Sequence, residues 1–224
     1  MTDSLRASAR SAGQGTFDTA ELLLVDVALG RYAPGDILDP ATISREHCVT
    51  PGDVQLALYE LRRMKLVIRS PFSSASIIVW HRRFNEVLLD DLVRMITVAA
   101  SKSPTLEGVL EATPRRPACT AHGLTLPADV ARFLDLARAL MQVLSPSARQ
   151  HVRDDLLLPL EILGTTHAAE VHGMRPRLGN AARAAIVDLM EESTRHGDWA
   201  KLPELASDYV TALRVNEDQS RFVE

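Results

Sequence analysis

The sequence predicts a mainly α protein in two parts, and three observations carry that prediction. Residues 30–68 hold a short polar-start helix, a tight turn, a longer helix and a basic exit into a hairpin signal. From Asn85 onward apolar residues recur at helical spacing almost throughout. Aromatics make up only 4% of the chain while Ala, Leu, Val and Arg dominate, a composition that favours helices over sheets. The expected architecture is an N-terminal winged helix-turn-helix followed by an all-helical bundle of about six helices.

Residues 1–16 are rich in Ser, Ala and Gly and bury too little apolar surface to offset ordering, so they are expected as a flexible N-terminal arm. Phe17 to Leu29 places Leu22, Leu23, Val25, Ala28 and Leu29 at helical spacing and stops at Gly30. Ala33-Pro34-Gly35-Asp36 has turn chemistry: Pro fixes φ at its position and Gly accepts a positive φ after it. A brief extended Ile37-Leu38 follows. Asp39-Pro40 sets a capping carboxylate before a proline at the first helical position, which starts a second helix over roughly 40–47.

Thr50-Pro51-Gly52-Asp53 repeats that device more strongly, because Thr50 and Asp53 have the spacing of a reciprocal capping box. A third helix therefore begins at Pro51. Val54, Ala57, Leu58 and Leu61 form its core stripe at i, i+3, i+4 and i+7. Gly52, Asp53, Gln55, Leu56, Tyr59, Arg62 and Arg63 are left on the other faces. Leu66–Arg69 and Ser76–Trp80 are β-rich runs around Ser70–Ala75 and read as a hairpin. The basic junction His81-Arg82-Arg83 marks the expected boundary, giving domains over 17–83 and 84–224.

In the second part, Leu88 to Val98 and Leu106 to Leu110 carry helical patterns, and Thr113 to Pro127, with three prolines, reads as a surface loop. Ala128–Leu144, Ser147–Gly164, a segment from near Pro176 to near His196, and Trp199–Val215 supply four more helices.

Charge and cysteine usage narrow the function classes. The net charge is −4, with ten Lys/Arg against nine Asp/Glu in residues 1–83 and fifteen against twenty in the rest. That balance argues against wholesale nucleic-acid coating yet leaves the N-terminal part the less acidic one. Cys48 and Cys119 are far apart with no Cys-x-x-Cys spacing, so both read as ordinary thiols. With no apolar run of membrane length and no secretory pattern near Met1, a cytoplasmic protein with no membrane contact is expected.

The N-terminal order resembles the GntR family of bacterial transcription regulators, in the subgroup with an all-helical C-terminal effector domain (FadR-like, FCD). The carrying residues are Gly30-x-Tyr32-x-Pro34-Gly35-Asp36-x-Leu38, the Val49-Thr50 turn, Val54-x-x-Ala57-Leu58-x-x-Leu61, and Leu66-Val67 opening the wing. The resemblance covers roughly residues 20–80 closely and the remainder by architecture, including Gly197-Asp198 after a long helix. It implies a homodimer on a pseudo-palindromic DNA site and a small metabolite held in the helical domain.

The chain departs from that pattern where chemistry is done. The family's Ser/Thr-Arg-x-x-Val-Arg-Glu-Ala-Leu turn has two arginines whose positions are Pro51 and Gln55 here, and its glutamate is Leu56. An arginine bidentate to guanine is worth about 1–3 kcal/mol of discrimination, so the two losses together cost about three to four decades of specific affinity unless other cations compensate. The wing tip lacks the usual glycine and carries Phe72, Ser73, Ser74 and Ala75. The resemblance also implies a divalent metal held by an aspartate and three histidines. At the matching positions stand Asp129, then Phe133-Leu134 for Phe-His, then Val187 and Tyr209, so no metal is expected. Of the remaining histidines, His47, His81, His122, His151, His167, His172 and His196, only His167 and His172 lie close together, and they read as solvated helix-terminal residues.

No nucleophile elbow, Cys-His dyad or cofactor motif is visible, so no enzyme and no cofactor is expected. The expected function is a DNA-binding regulator responding to a small-molecule, anionic effector. Thr50, Gly52, Gln55, Tyr59, Arg62, Arg63, Arg69 and Ser73 are its candidate DNA-contacting residues, with the Thr50 and Gly52 amides on a phosphate. Gln55 and Tyr59 would lie nearest the bases, and glutamine suits adenine. Arg94, Arg132, Arg138, Arg183 and Tyr209 are the candidate effector anchors. The alternative reading is a chain that keeps the regulator fold but has lost specific DNA binding and serves as a ligand-binding, partner-binding or catalytic module. A purely structural scaffold is a third.

Overall fold

A computed structural model describes residues 19–70, 76–78, 82–102, 124–171 and 176–214. The N-terminal arm, the wing tip with Phe72 and Ser73, the apolar segment around Leu106–Leu110, Cys119, His81, His122 and His172 lie outside them.

The first part is built from local signals. Helix α1 (Thr19–Ala28) ends at Gly30, whose φ is +71°. A Cβ there would stand 2.5 Å from Val171 Cγ1, so both the backbone conformation and the close approach require glycine. The Pro34-Gly35 turn closes with Ala33 N donating to Asp36 Oδ2 at 2.7 Å and Asp36 N to the Ala33 carbonyl at 3.0 Å. Strand β1 (Ile37–Leu38) then does more than extend: it pairs antiparallel with β3 (Ser76–Ile78), which also pairs with β2 (Val67–Arg69), giving the order β1-β3-β2.

Helix α2 (Pro40–His47) and helix α3 (Pro51–Arg63) start where the sequence places them. Asp39 Oδ2 accepts from Thr42 N at 3.0 Å and from Thr42 Oγ1 at 2.7 Å, and those bonds hold its carboxyl below its ordinary range. Cys48, at φ +56°, ends α2, and Ser44 ties the turn by accepting from Val49 N and donating to Val49 O at 2.6 Å. His47 Nε2 lies 2.8 Å from the buried Asp26 Oδ2, joining α2 to α1.

The second part is mainly helical over its described residues. It comprises α4 (Arg82–Ala100), α5 (Ala128–Leu140) running into a 3-10 turn at Met141–Val143, α6 (Pro146–Val152), and a π turn at Arg153–Leu157. Then come α7 (Leu158–Leu163), α8 (Thr166–Val171), α9 (Asn180–Arg195), a 3-10 turn at Trp199–Lys201, and α10 (Leu202–Leu213). The single helix expected over 147–164 is therefore broken. Pro159 has no N–H for the carbonyl of Asp155, and the chain absorbs that loss in the π turn, where Leu158 N bonds Arg153 O five residues back.

Two apolar cores result. Leu88, Leu92, Ile96, Phe133, Leu134, Val187, Met190, Tyr209 and Val210 anchor the larger. The smaller holds α1, α2, α3 and the sheet, and is completed by Leu124, Ile162, Leu163 and Ala168 from the second part. The π-turn segment thus straddles both, with Leu156, Leu157 and Leu160 in one core and Ile162 and Leu163 in the other.

Candidate nucleic-acid interface

Helix α3 is seated as its apolar stripe dictates: Val54, Ala57, Leu58 and Leu61 are buried, while Gln55 is exposed and Leu56 and Tyr59 keep 57% and 61% of their surface. Gly52 is exposed as well. Beyond the helix, Lys65 and Arg69 are exposed and pair with no carboxylate among the described residues. Arg62 is half-buried and turns its Nε back onto the Leu58 carbonyl at 3.0 Å. Lys65, Arg69 and Gln55 are therefore exposed, as are Leu56 and Tyr59.

Two of the expected contacts are arranged otherwise. Thr50 N donates to Asp53 Oδ2 at 3.2 Å, and Thr50 Oγ1 both donates to that oxygen at 2.7 Å and accepts from Asp53 N at 3.2 Å. The capping box uses up the Thr50 amide, and the Asp53 carboxylate supplies the negative charge that a phosphate would bring to this helix end. Arg63, expected on the DNA backbone, instead pairs with Asp155 of the π turn.

The candidate effector anchors are likewise engaged. Arg183, only 2% exposed, places Nε 2.6 Å and Nη2 3.1 Å from the two oxygens of Asp129, with Nη1 on the Leu178 carbonyl and Nη2 on Asn180 Oδ1, both at 2.7 Å. Tyr209 Oη donates to Asp129 Oδ2 at 3.0 Å, and its ring meets Phe133 with centroids 4.4 Å apart. Burial first, then the Asp129 charge, pushes the Tyr209 hydroxyl well above its ordinary range. Arg132 pairs with Asp188 and Glu191 of α9, Arg138 with Asp135 and Glu161, and Arg94 with Asp91 on the surface of α4.

The residues matched to the family's metal ligands do converge, since Asp129, Phe133, Leu134, Val187 and Tyr209 share one interior. They do not fit a divalent ion. Asp129 has a guanidinium across both oxygens, and the side chains around it are apolar or, in Tyr209, a protonated phenol. Sequence reasoning picked out Arg183 and Tyr209 but not their partner; the lone aspartate in an apolar first turn of α5 was the signal that a buried cation had to meet it.

A crystal structure of a candidate transcriptional regulator GntR from Rhodococcus sp. RHA1 superimposes with a TM-score of 0.51, covering 85% of this chain and 91% of that one at 13% identity. The two chains share a fold. At that identity the likeness speaks for the winged helix-turn-helix plus helical domain. E. coli McbR/YncC gives a TM-score of 0.49 at 13% identity, over 86% of this chain and 91% of that one. The structure described as "Lar controls the expression of the Listeria monocytogenes agr system and mediates virulence" gives 0.49 at 13% identity over 90% and 96%. No protein-family model and no curated protein matches the chain in sequence. Among the described residues no helix is long and apolar enough to cross a membrane.

Proposed function

We propose that the protein is a DNA-binding transcriptional regulator that reads DNA with the outward face of α3. One observation carries this: α3 stands on the surface with Gln55 and Tyr59 facing out and, at its exit, the exposed cations Lys65 and Arg69, which meet no carboxylate among the described residues. That leaves Gln55 for a base edge and the cations for phosphates. A mobility-shift assay on genomic fragments at about 100 mM salt tests it. A retained fragment whose salt slope falls by about one on Arg69→Ala supports the reading; a folded dimer that retains no fragment refutes it.

The dimer belongs to the same proposal. Val87, Asp91, Arg94 and Val98 lie at i, i+4, i+7 and i+11 along one outward stripe of α4, with Val87 and Val98 48% and 42% exposed. An antiparallel approach of two such helices sets each Val87 on the other copy's valine and each Asp91 on the other copy's arginine, the self-complementarity that a two-fold interface needs. Val98→Glu should then sediment as a monomer; an unchanged sedimentation coefficient contradicts this interface. An anionic effector entering the bundle has to displace a carboxylate, and Arg132, shared by Asp188 and Glu191, is less buried than Arg138 and Arg183.

A second reading is favoured by the Asp53 carboxylate at the N-terminus of α3 and by the exposed Leu56 and Tyr59, which suit a protein partner better than a phosphate. In it the chain keeps the fold without sequence-specific DNA binding. Restoring arginine at Pro51 and Gln55 separates the two: specific binding appearing from none favours the second reading, and specific binding already present in the parent favours the first.

A further inference from the structure

Arg63 closes α3, and its guanidinium reaches Asp155 across the junction between the two parts of the chain. Asp155 is 9% exposed and sits inside the π turn Arg153–Leu157. Its other oxygen is held by His151 Nδ1 at 2.5 Å, one helical turn earlier. The flanking residues are divided between the two cores: Leu156 and Leu157 lie in the C-terminal one, Ile162 and Leu163 in the N-terminal one. A carboxylate held this way presents to arginine the same single negative charge and an anionic oxygen acceptor, as a DNA phosphate does.

We propose that Asp155 is an internal competitor for the DNA backbone, an autoinhibitory contact that keeps Arg63 off the phosphates while the π turn is formed. The proposal rests on the reading of α3 as a DNA-binding helix. Half of the Arg63 side chain remains solvent-exposed, so the guanidinium can transfer to a phosphate without unfolding anything around it. The carboxylate, by contrast, is fixed by His151 and by burial. Its position depends on the π turn, which Pro159 favours because it has no N–H to offer the Asp155 carbonyl. A displacement of the π-turn segment in the bundle would therefore carry Asp155 away from Arg63.

The test is a double-mutant cycle on DNA affinity with Arg63→Met and Asp155→Asn, using the fragment found by mobility shift. Expected is a several-fold tighter complex for Asp155→Asn with a salt slope steeper by about one ion. Arg63→Met alone should change affinity less than two-fold, roughly, because that cation is already neutralised. Arg63→Met/Asp155→Asn should lose the whole gain. A gain that survives in the double variant, or a large loss from Arg63→Met alone, overturns the proposal.

Hydrogen exchange without DNA separates this from the DNA-binding reading itself. Asp155→Asn and Arg63→Met should each speed exchange in the last turn of α3, and the double variant should add nothing to either. Unchanged exchange in both single variants removes the contact whether or not any DNA is bound. Faster exchange with no DNA retained by any variant leaves an interdomain tie but overturns its role as a competitor for phosphate. Arg63→Met, made at a half-exposed position, keeps the exchange experiment decisive even if Asp155→Asn folds poorly.

Discussion

The exit of α3 and the helical bundle both carry basic side chains, and they solve the charge problem in different ways. Inside the bundle every arginine named as an anchor is met by carboxylates: Arg183 by Asp129, Arg132 by Asp188 and Glu191, Arg138 by Asp135 and Glu161. At the exit of α3, Lys65 and Arg69 stand in water without such partners among the described residues. Burial explains the contrast. A guanidinium removed from water has to be neutralised and hydrogen-bonded within the fold, whereas a surface cation can wait for an external anion. Exposed cations thus stand at the exit of α3, whereas the arginines of the bundle are neutralised within the fold.

The largest effect that would break this comparison lies inside. Arg183→Met leaves Asp129 buried with only the Tyr209 hydroxyl, and is expected to cost about 3–5 kcal/mol in urea unfolding. Replacing both members, as Asp129→Leu/Arg183→Met, should recover much of that loss, because no charge is then stranded. An Arg183→Met protein as stable as the parent would show that the ion pair is not what organises this interior.

Next comes the orientation of α3. Leu58→Ala removes a fully buried side chain and should cost about 2–5 kcal/mol, whereas Leu56→Ala, two residues earlier on the exposed face, should change stability by less than about 0.5 kcal/mol. Equal effects would mean that the helix is rotated from the orientation described. Thr50→Ala, which removes the acceptor and donor that lock Asp53, is expected to cost about 1 kcal/mol and to free the amide end of α3.

The smallest expected effect is alkaline. Tyr32 is pushed up to about 12 from its ordinary 10.0 by burial and by the Asp26 and Glu46 charges. The neutral phenol is the form the fold holds, so its contribution is complete below pH 10 and is lost as pH rises from 10 towards 12. Tyr32→Phe should flatten that part of the stability profile, and tyrosinate absorbance in the parent should show this group ionising late.

How much of this the sequence disclosed depends on the range of the interactions involved. The starts of α2 and α3 are written in residues two or three apart, Asp39-Pro40 and Thr50-Pro51-Gly52-Asp53, and the structure places them there. The core stripe of α3 is equally local. The π turn was hidden because the apolar pattern from Ser147 to Gly164 runs on unbroken, and only Pro159 signalled the missing hydrogen bond. Ile37-Leu38 read as an extended dipeptide because its partner strand begins at Ser76. Arg63 looked like a phosphate contact because its position on α3 faces outward; its partner lies 92 residues away, beyond the reach of any helical pattern. Arg183 and Asp129 are 54 residues apart, and neither segment alone says that they meet.

The most direct measurement is a fluorescence-anisotropy titration of a retained genomic fragment and a scrambled one, with the parent protein and Gln55→Ala/Tyr59→Ala, at several salt concentrations. The expected result is a loss of about tenfold or more on the retained fragment alone, with binding to the scrambled fragment and its salt slope unchanged. Equal affinity of parent and variant for the retained fragment would contradict the assignment of the outward face of α3 as the surface that reads DNA.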